Sequence, residues 1–306
     1  MTKEERIKEL LKGALDLHIH ADPSFMARSC NAMEAAEECC RAGMVAIGVK
    51  DHHVSTALGA YFVNKYMHRA GGNPFTCYGS ITLNNAVGFN PRAVFAALKL
   101  GAKIVFLPTI AAPAHIAMLS GNSKKGDAHF IKQKIQAKPE EPMPILDQNG
   151  ELIPEIVEIM DIIKDADAVL CTGHVDYDEC LAVAKRAKEI GLERLSYTHL
   201  PHFTTLDYDK LDKIVELGGY VEANLCLMAS MTPPQVRMNE DQFCEMIRHF
   251  TPERCTMVSD AGGIAVPRPV DYISEGIGIL IDHGFTDDEI RLMVRDNPAK
   301  LIGYEF

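Results

Sequence analysis

Leu15-Asp16-Leu17-His18-Ile19-His20 decides how this chain is read. Successive side chains of a strand point to opposite faces, so Asp16, His18 and His20 are predicted to line one face, with Leu15, Leu17 and Ile19 on the other. Two imidazoles then project together from the strand's C-terminal end. Imidazole suits zinc, manganese, iron or nickel, and a pair on one rigid strand is half of a metal site. A His-x-His pair also fits two surface histidines on an edge strand, so the other strand ends carry the decision.

Further apolar runs follow, each giving way to a polar tip and then a helix. Met44 to Lys50 ends in Asp51-His52-His53, and Phe75 to Leu83 and Lys103 to Leu107 are the third and fourth runs. Ala168 to Gly173 is tipped by His174, Arg194 to Thr198 by His199, and Cys255 to Ser259 by Asp260, with Tyr220 to Asn224 as the seventh strand. Helices are predicted over Met33 to Ala42, Ala57 to Ala70, Pro91 to Leu100, Glu155 to Ala166, Glu179 to Ile190, Leu206 to Leu217 and Glu240 to Phe250. Gly43, Gly71-Gly72, Gly101 and Gly191 stand where helices should stop. Two short helices, near 270–283 and 287–294, finish the chain.

Eight strands alternating with helices predict an α/β fold, a (β/α)8 TIM barrel filling 1–306 as a single domain. Active sites of that fold lie at the C-terminal ends of the strands, and closure sets strand eight beside strand one. The tips of strands one, five, six and eight then face a common centre. An open doubly wound sheet also alternates, but it gives no reason for polar tips at those four places. After strand four the pattern is interrupted by an insertion, 111–154. Within it Met143 to Ile153 is predicted to form a hairpin turning at Asp147-Gln148-Asn149-Gly150, and the insertion reads as a partial cover over the site.

Composition narrows the function classes. With 306 residues and 47% hydrophobic content the chain can bury a large core, and its formal net charge of −11 argues against a duplex nucleic-acid partner. The charged, amphipathic start, Met1 to Lys12, lacks the apolar centre of a signal peptide, and no later stretch is long and apolar enough to span a bilayer. A cytoplasmic protein without a membrane partner is expected. The nine cysteines are scattered, with no C-x-x-C pair, and read as small buried hydrophobes, Cys39-Cys40 included.

His18, His20, His174, His199 and Asp260, in that order, resemble the metal-ligand set of the amidohydrolase superfamily, which includes phosphotriesterase-like and TatD-like hydrolases. The ending Asp296-Asn297-Pro298-Ala299-Lys300-Leu301-Ile302-Gly303 is similar to the Asn-Pro-Ala...Gly segment that follows the last strand in many of those enzymes. Each motif is short; the order of the five tips is the stronger signal. The resemblance implies a metal-dependent hydrolase of a small-molecule amide, lactone or ester. It implies one or two divalent ions, zinc first and manganese, iron or nickel otherwise, with Asp260 as ligand and proton acceptor.

The chain departs from the two-metal pattern at strand four. There the family places a bridging carboxylated lysine or a glutamate, and here the end reads Phe106-Leu107-Pro108-Thr109. Lys50 could supply a carbamate from strand two, or serve as a substrate-binding or salt-bridged lysine. His52, on the face of Lys50, His202 and Arg268 are candidate substrate-binding residues. Asp16 reads either as a partner for an imidazole or as a structural buried carboxylate. His68, His115, His129, His249 and His283 are left out of the site. The missing bridge keeps a single-metal decarboxylase as an alternative, and a non-catalytic metal- or ligand-binding barrel is a third. A homo-oligomer is the default expectation for an enzyme of this size.

Overall fold

Eight parallel strands pair in chain order: β1 (Leu15–His20), β2 (Ala46–Lys50), β3 (Thr76–Thr82), β4 (Ala102–Phe106), β5 (Val169–Cys171), β6 (Leu195–Tyr197), β7 (Tyr220–Asn224) and β8 (Cys255–Val258). The computed structural model describes residues 1–69, 75–119, 138–204 and 206–306. The last strand returns to the first. Asp260 N–H donates to His18 O at 2.8 Å, and His20 N–H donates to Ala261 O at 2.7 Å. The carboxylate of Asp16 accepts from the Ser259 amide at 3.2 Å on the same seam. The predicted (β/α)8 barrel is therefore the observed fold.

Around it lie α1 (Lys3–Leu11), α2 (Ala32–Arg41), α3 (Ala57–Arg69), α4 (Pro91–Lys99), α5 (Pro113–Leu119), α6 (Pro154–Asp165) and α7 (Tyr177–Ile190). Then come α8 (Leu200–Phe203), α9 (Tyr208–Val215), α10 (Glu240–Phe250), α11 (Pro269–Asp282), α12 (Asp287–Arg291) and α13 (Asn297–Ile302). Their starts are written in the sequence: Asn31, Asp176 and Asn239 each accept from a first-turn amide while Glu34, Glu179 and Gln242 reach back to the capping residue. Inside the barrel, Leu15, Leu17, Ile104, Phe106 and Val169 pack with Ala299 and Leu301 of α13. Asn297 opens that last helix and donates to Pro252 O and Cys255 O, tying the Asn-Pro-Ala segment to the start of β8.

The alternation predicted for β1 breaks. Leu15 and Asp16 pair with Ala46 and Ile47, but Ile19 and His20 pair with Val49 and Lys50, so Leu17 and His18 together stand opposite Gly48. This is a bulge, and a Cβ on Gly48 would lie 2.4 Å from Leu17 O. The extra residue puts Asp16 on the opposite face from His18 and His20. Asp16 meets the His18 and Ser259 amides and acts on Cys39 of α2. It is a seam residue and not a histidine partner.

Other differences are local. The insertion opens with α5, which its polar composition hid, and its hairpin is present, with Leu146 bridging Leu152 and Asp147 accepting from Asn149 and Glu151 amides. Gly71-Gly72 and His129 lie outside the described residues. The four-residue α8, with Pro201 in its first turn, interrupts what reads as loop. No helix among the described residues is long and apolar enough to cross a membrane.

Candidate metal centre

Three imidazoles converge on one carboxylate. His18 Nε2 and His20 Nε2 each lie 3.2 Å from Asp260 Oδ1, and His199 Nε2 lies 3.1 Å from Asp260 Oδ2. His18 and His20 come from β1, His199 follows β6 and Asp260 follows β8. The last two adopt left-handed backbone, φ 52° each, a conformation uncommon outside glycine, which turns the chain sharply at the strand's end.

The hydrogen bonds fix what each ring offers. His20 Nδ1 is 3.0 Å from Lys50 O, and a carbonyl only accepts, so the proton of His20 sits on Nδ1. Burial and the Arg28 charge hold His20 well below the ordinary histidine range, which leaves Nε2 as a lone pair facing an anionic oxygen. Two acceptors in that relation call for a cation between them. His18 donates from Nδ1 to Glu222 Oε2 at 3.1 Å. This carboxylate–histidine arrangement orients a ligating ring and raises its basicity.

A divalent ion fits this donor set. Bonds of about 2.0–2.1 Å in a tetrahedron separate ligand atoms by about 3.3 Å, close to the 3.2 Å and 3.1 Å from His18 and His199 Nε2 to Asp260. Donor atoms of His18, His199 and Asp260 all lie within 4.8 Å of one another. Burial lowers His199 and His174, favouring the neutral, ligating form. For Asp260 burial favours the protonated form, but His18, His199 and His20 outweigh it and hold the carboxyl well below its usual range.

Around this core stand the remaining tips. Lys50 Nζ is 3.0 Å from His18 Nε2 and 4.6 Å from the centre of the Phe106 ring. Burial lowers its pKa against the opposing pull of Asp260 and Glu222. The His174 ring is 5.0 Å from that of His199 and stacks on Phe203 at 4.5 Å. Its Nδ1 meets His115 Nδ1 at 2.8 Å, and its buried Nε2 has no hydrogen-bond partner among the described residues. The His52 ring is 4.8 Å from that of His20. Thr109 and Asn84 set its orientation: Asn84 Oδ1 accepts from the Thr109 and Ala111 amides, so its Nδ2 donates to Thr109 Oγ1. The Thr109 hydroxyl, 2.9 Å from His52 Nδ1, is then free to donate to it and leave the proton on Nε2.

The structure thus brings His18, His20, His174, His199, Asp260, Lys50 and His52 together. It engages Arg268 elsewhere: the guanidinium donates to Glu38 and to Ser29 O, binding the β1–α2 connection to the start of α11. His202 is in α8, and its side chain lies outside the described residues. Two participants were missed. Glu222 sits mid-strand in Tyr220-Val221-Glu222-Ala223-Asn224, where a buried acid is costly without a partner and was itself a signal. His115 was set aside with the insertion. The cysteines are mostly buried, and burial raises thiols such as Cys77, Cys180 and Cys255.

Fold and site define a (β/α)8 barrel with a candidate metal centre at the C-terminal ends of its strands. It resembles an amidohydrolase from Pseudomonas aeruginosa with a TM-score of 0.62 and 12% identity over 99% of this chain and 98% of that one. An organophosphorus hydrolase from Deinococcus radiodurans gives a TM-score of 0.58 at 11% identity, over 97% of this chain and 94% of the other. A putative 2-pyrone-4,6-dicarboxylic acid hydrolase from Pseudomonas putida gives 0.56 at 14%, over 96% and 98%. At such identities the shared property is the fold. The chain belongs to a family of unknown function (DUF6282), whose model matches residues 13–222. No curated protein matches it by sequence.

Proposed function

We propose that this barrel is a metal-dependent hydrolase that cleaves an amide, lactone or ester bond of a small molecule. The convergence of His18, His20 and His199 on Asp260 carries the reading. His18, His199 and Asp260, with His20 and His174 beside them, would hold one or two divalent ions, zinc first and manganese, iron or nickel otherwise. When bound, the ion supplies Lewis acidity, making water a nucleophile near neutral pH and polarising the substrate's oxygen.

The chain's own residues do the rest. Asp260 is held ionised, so it can accept the proton of the attacking water and pass it to the leaving group. Glu222 keeps His18 oriented, and the Lys50 carbonyl does the same for His20. His52, with its proton on Nε2, offers a donor to the substrate. Lys50 is the candidate for a second-ion ligand, because burial favours the neutral amine, the form that adds carbon dioxide to give a carbamate. The architecture shared with proteins named amidohydrolase and organophosphorus hydrolase supports the class.

Metal content per chain, measured on wild type and Lys50→Ala purified without chelator, tests this. Two equivalents falling to one support a two-metal hydrolytic site with Lys50 as a ligand. One equivalent unchanged by the substitution favours the single-metal decarboxylase, a reading supported by the absence of an acid or lysine at Phe106-Leu107-Pro108-Thr109. No metal after reconstitution sinks both. Metal-loaded wild type without turnover of any amide, lactone or ester would point to a binding barrel, and Asp260→Asn with its metal and full turnover would remove Asp260 as the proton acceptor.

A further inference from the structure

The last residue of β7 carries a buried donor that the metal centre leaves unused. Asn224 is fully enclosed. Its Oδ1 accepts from the Cys226 amide at 2.9 Å, and an amide N–H only donates, so the side chain cannot be flipped and Nδ2 is fixed on its other side. That Nδ2 has no hydrogen-bond partner among the described residues. The Oδ1 contact caps the turn that follows the strand, a task that serine or aspartate performs equally well. The NH2 group is not needed for it, and burying an unpaired donor is unfavourable.

The strand says where this donor points. β7 pairs with β8 without a break in register, Glu222 opposite Thr256 and Asn224 opposite Val258. Residues two apart share a face, so Asn224 lies on the face of Glu222, one step nearer the C-terminal mouth of the barrel. Glu222 reaches His18 Nδ1 at 3.1 Å, which makes that face the one turned to the metal centre. The turn beyond is held against the same centre: the Cys226 thiol donates to the Asp260 carboxylate, and Leu225 O accepts from the Tyr272 hydroxyl at 2.8 Å. His199 and Asp260 follow the strands on either side. The Thr256 hydroxyl, a step deeper beside Glu222, does not meet Nδ2. An acceptor for Asn224 has therefore to come from the mouth.

We propose that Asn224 is a catalytic residue that donates from Nδ2 to the carbonyl oxygen of the bond being cleaved. The proposal rests on the hydrolytic reading, since amide, lactone and ester all present that acceptor. As water adds to the carbonyl carbon and its proton passes to Asp260, the C=O π pair moves onto oxygen. A fixed donor in a buried site stabilises that oxygen more as its charge grows. When the pair returns to carbon, the bond to the leaving group breaks and the group departs with the proton held by Asp260. A neutral amide suits the place: a carboxylate there would repel the growing charge, and a further cation would pair with Asp260 or Glu222.

The test is calorimetric titration of the zinc-loaded protein with acetohydroxamate, whose carbonyl oxygen stands for that of the substrate. Wild type, Asn224→Asp and Asn224→Ala are compared, and the Asn224 side-chain amide is followed by NMR in isotope-labelled wild type. Asn224→Asp keeps an oxygen for the Cys226 amide and loses the donor. Acetohydroxamate is expected to bind wild type, to weaken about tenfold in both variants, and to shift the Nδ2 proton resonance, identified as the signal that Asn224→Asp lacks. Equal affinity in wild type and an intact variant overturns the proposal, as does an unmoved Nδ2 resonance or no binding to wild type. Zinc content and melting temperature show which variant is intact; should neither be, the resonance decides on wild type alone. Ester turnover undiminished in Asn224→Asp overturns the proposal and leaves the hydrolytic reading standing. Asn224-dependent acetohydroxamate binding in a protein that turns over no amide, lactone or ester faults the hydrolytic reading instead.

Discussion

His115 Nδ1 and His174 Nδ1 face each other at 2.8 Å, a separation that requires one proton shared between two nitrogens. A residue of the insertion thereby fixes the ring of a strand-end histidine. His115→Ala is expected to weaken binding of an ion held by His174 about 10–100-fold, the usual cost of losing a ring's orienting partner. Competition with a chromogenic chelator reads this. Unchanged affinity would detach the insertion from the metal centre.

Glu222 makes a sharper case, because it is fully enclosed with His18, and its other oxygen accepts from Ser196 at 3.2 Å. Glu222→Gln should lower metal affinity about 10–100-fold while keeping the fold. Glu222→Leu removes the buried acceptor of the His18 Nδ1 proton and leaves that donor unpaired, and a loss of about 3–5 kcal/mol in urea unfolding is expected. If the leucine variant matches wild type in stability, Glu222 is not that acceptor.

His18 links metal to protons. Burial opposes its charge, but Asp260 and Glu222 outweigh burial and raise its pKa from 6.5 to about 9, with Lys50 opposing. A raised folded-state pKa means that, in chelator-stripped protein, this contribution to stability is fully present below pH 6.5 and is lost as pH rises through about 9. A ligating His18 must shed that proton. Binding of the first ion near neutral pH should release about one proton, measured by calorimetry in buffers of different ionisation enthalpy. Heats independent of the buffer would contradict it.

Gly262 has φ +110°, and a Cβ there would lie 1.7 Å from His20 O. Gly262→Ala must therefore push β1 away from the loop after β8. A loss of roughly 3 kcal/mol or more is expected, with reduced metal content. Gly263 supplies the control: the nearest atom to a Cβ there is Val266 Cγ2 at 3.8 Å, so Gly263→Ala should be tolerated. Equal behaviour of the two variants would refute the close approach.

The barrel was legible because strands buried on both faces read as unbroken apolar runs, and glycines punctuate the helices that follow. The convergence of His18, His20, His174, His199 and Asp260 was legible because each lies in the last part of such a run or directly after it. What escaped depends on contacts made across loops. Arg268 reads in sequence as a cation near the site, and only the packing of the β1–α2 connection decides that it meets Glu38. The bulge at Leu17-His18 is equally silent in β1 itself, since its cause is the partner, Gly48. Asp16 was misplaced for that reason alone.

The seam between β8 and β1 also sets a timetable. His18 and His20 leave the ribosome before Asp260, their common partner, which lies about 240 residues further along. An ion bound by all of them would join residues 18 and 260 and close the stretch between them into one loop. The half-made protein can hold metal only with an incomplete set of ligands. Full loading is therefore a report that synthesis has reached the eighth strand and that the two ends of the barrel have found each other.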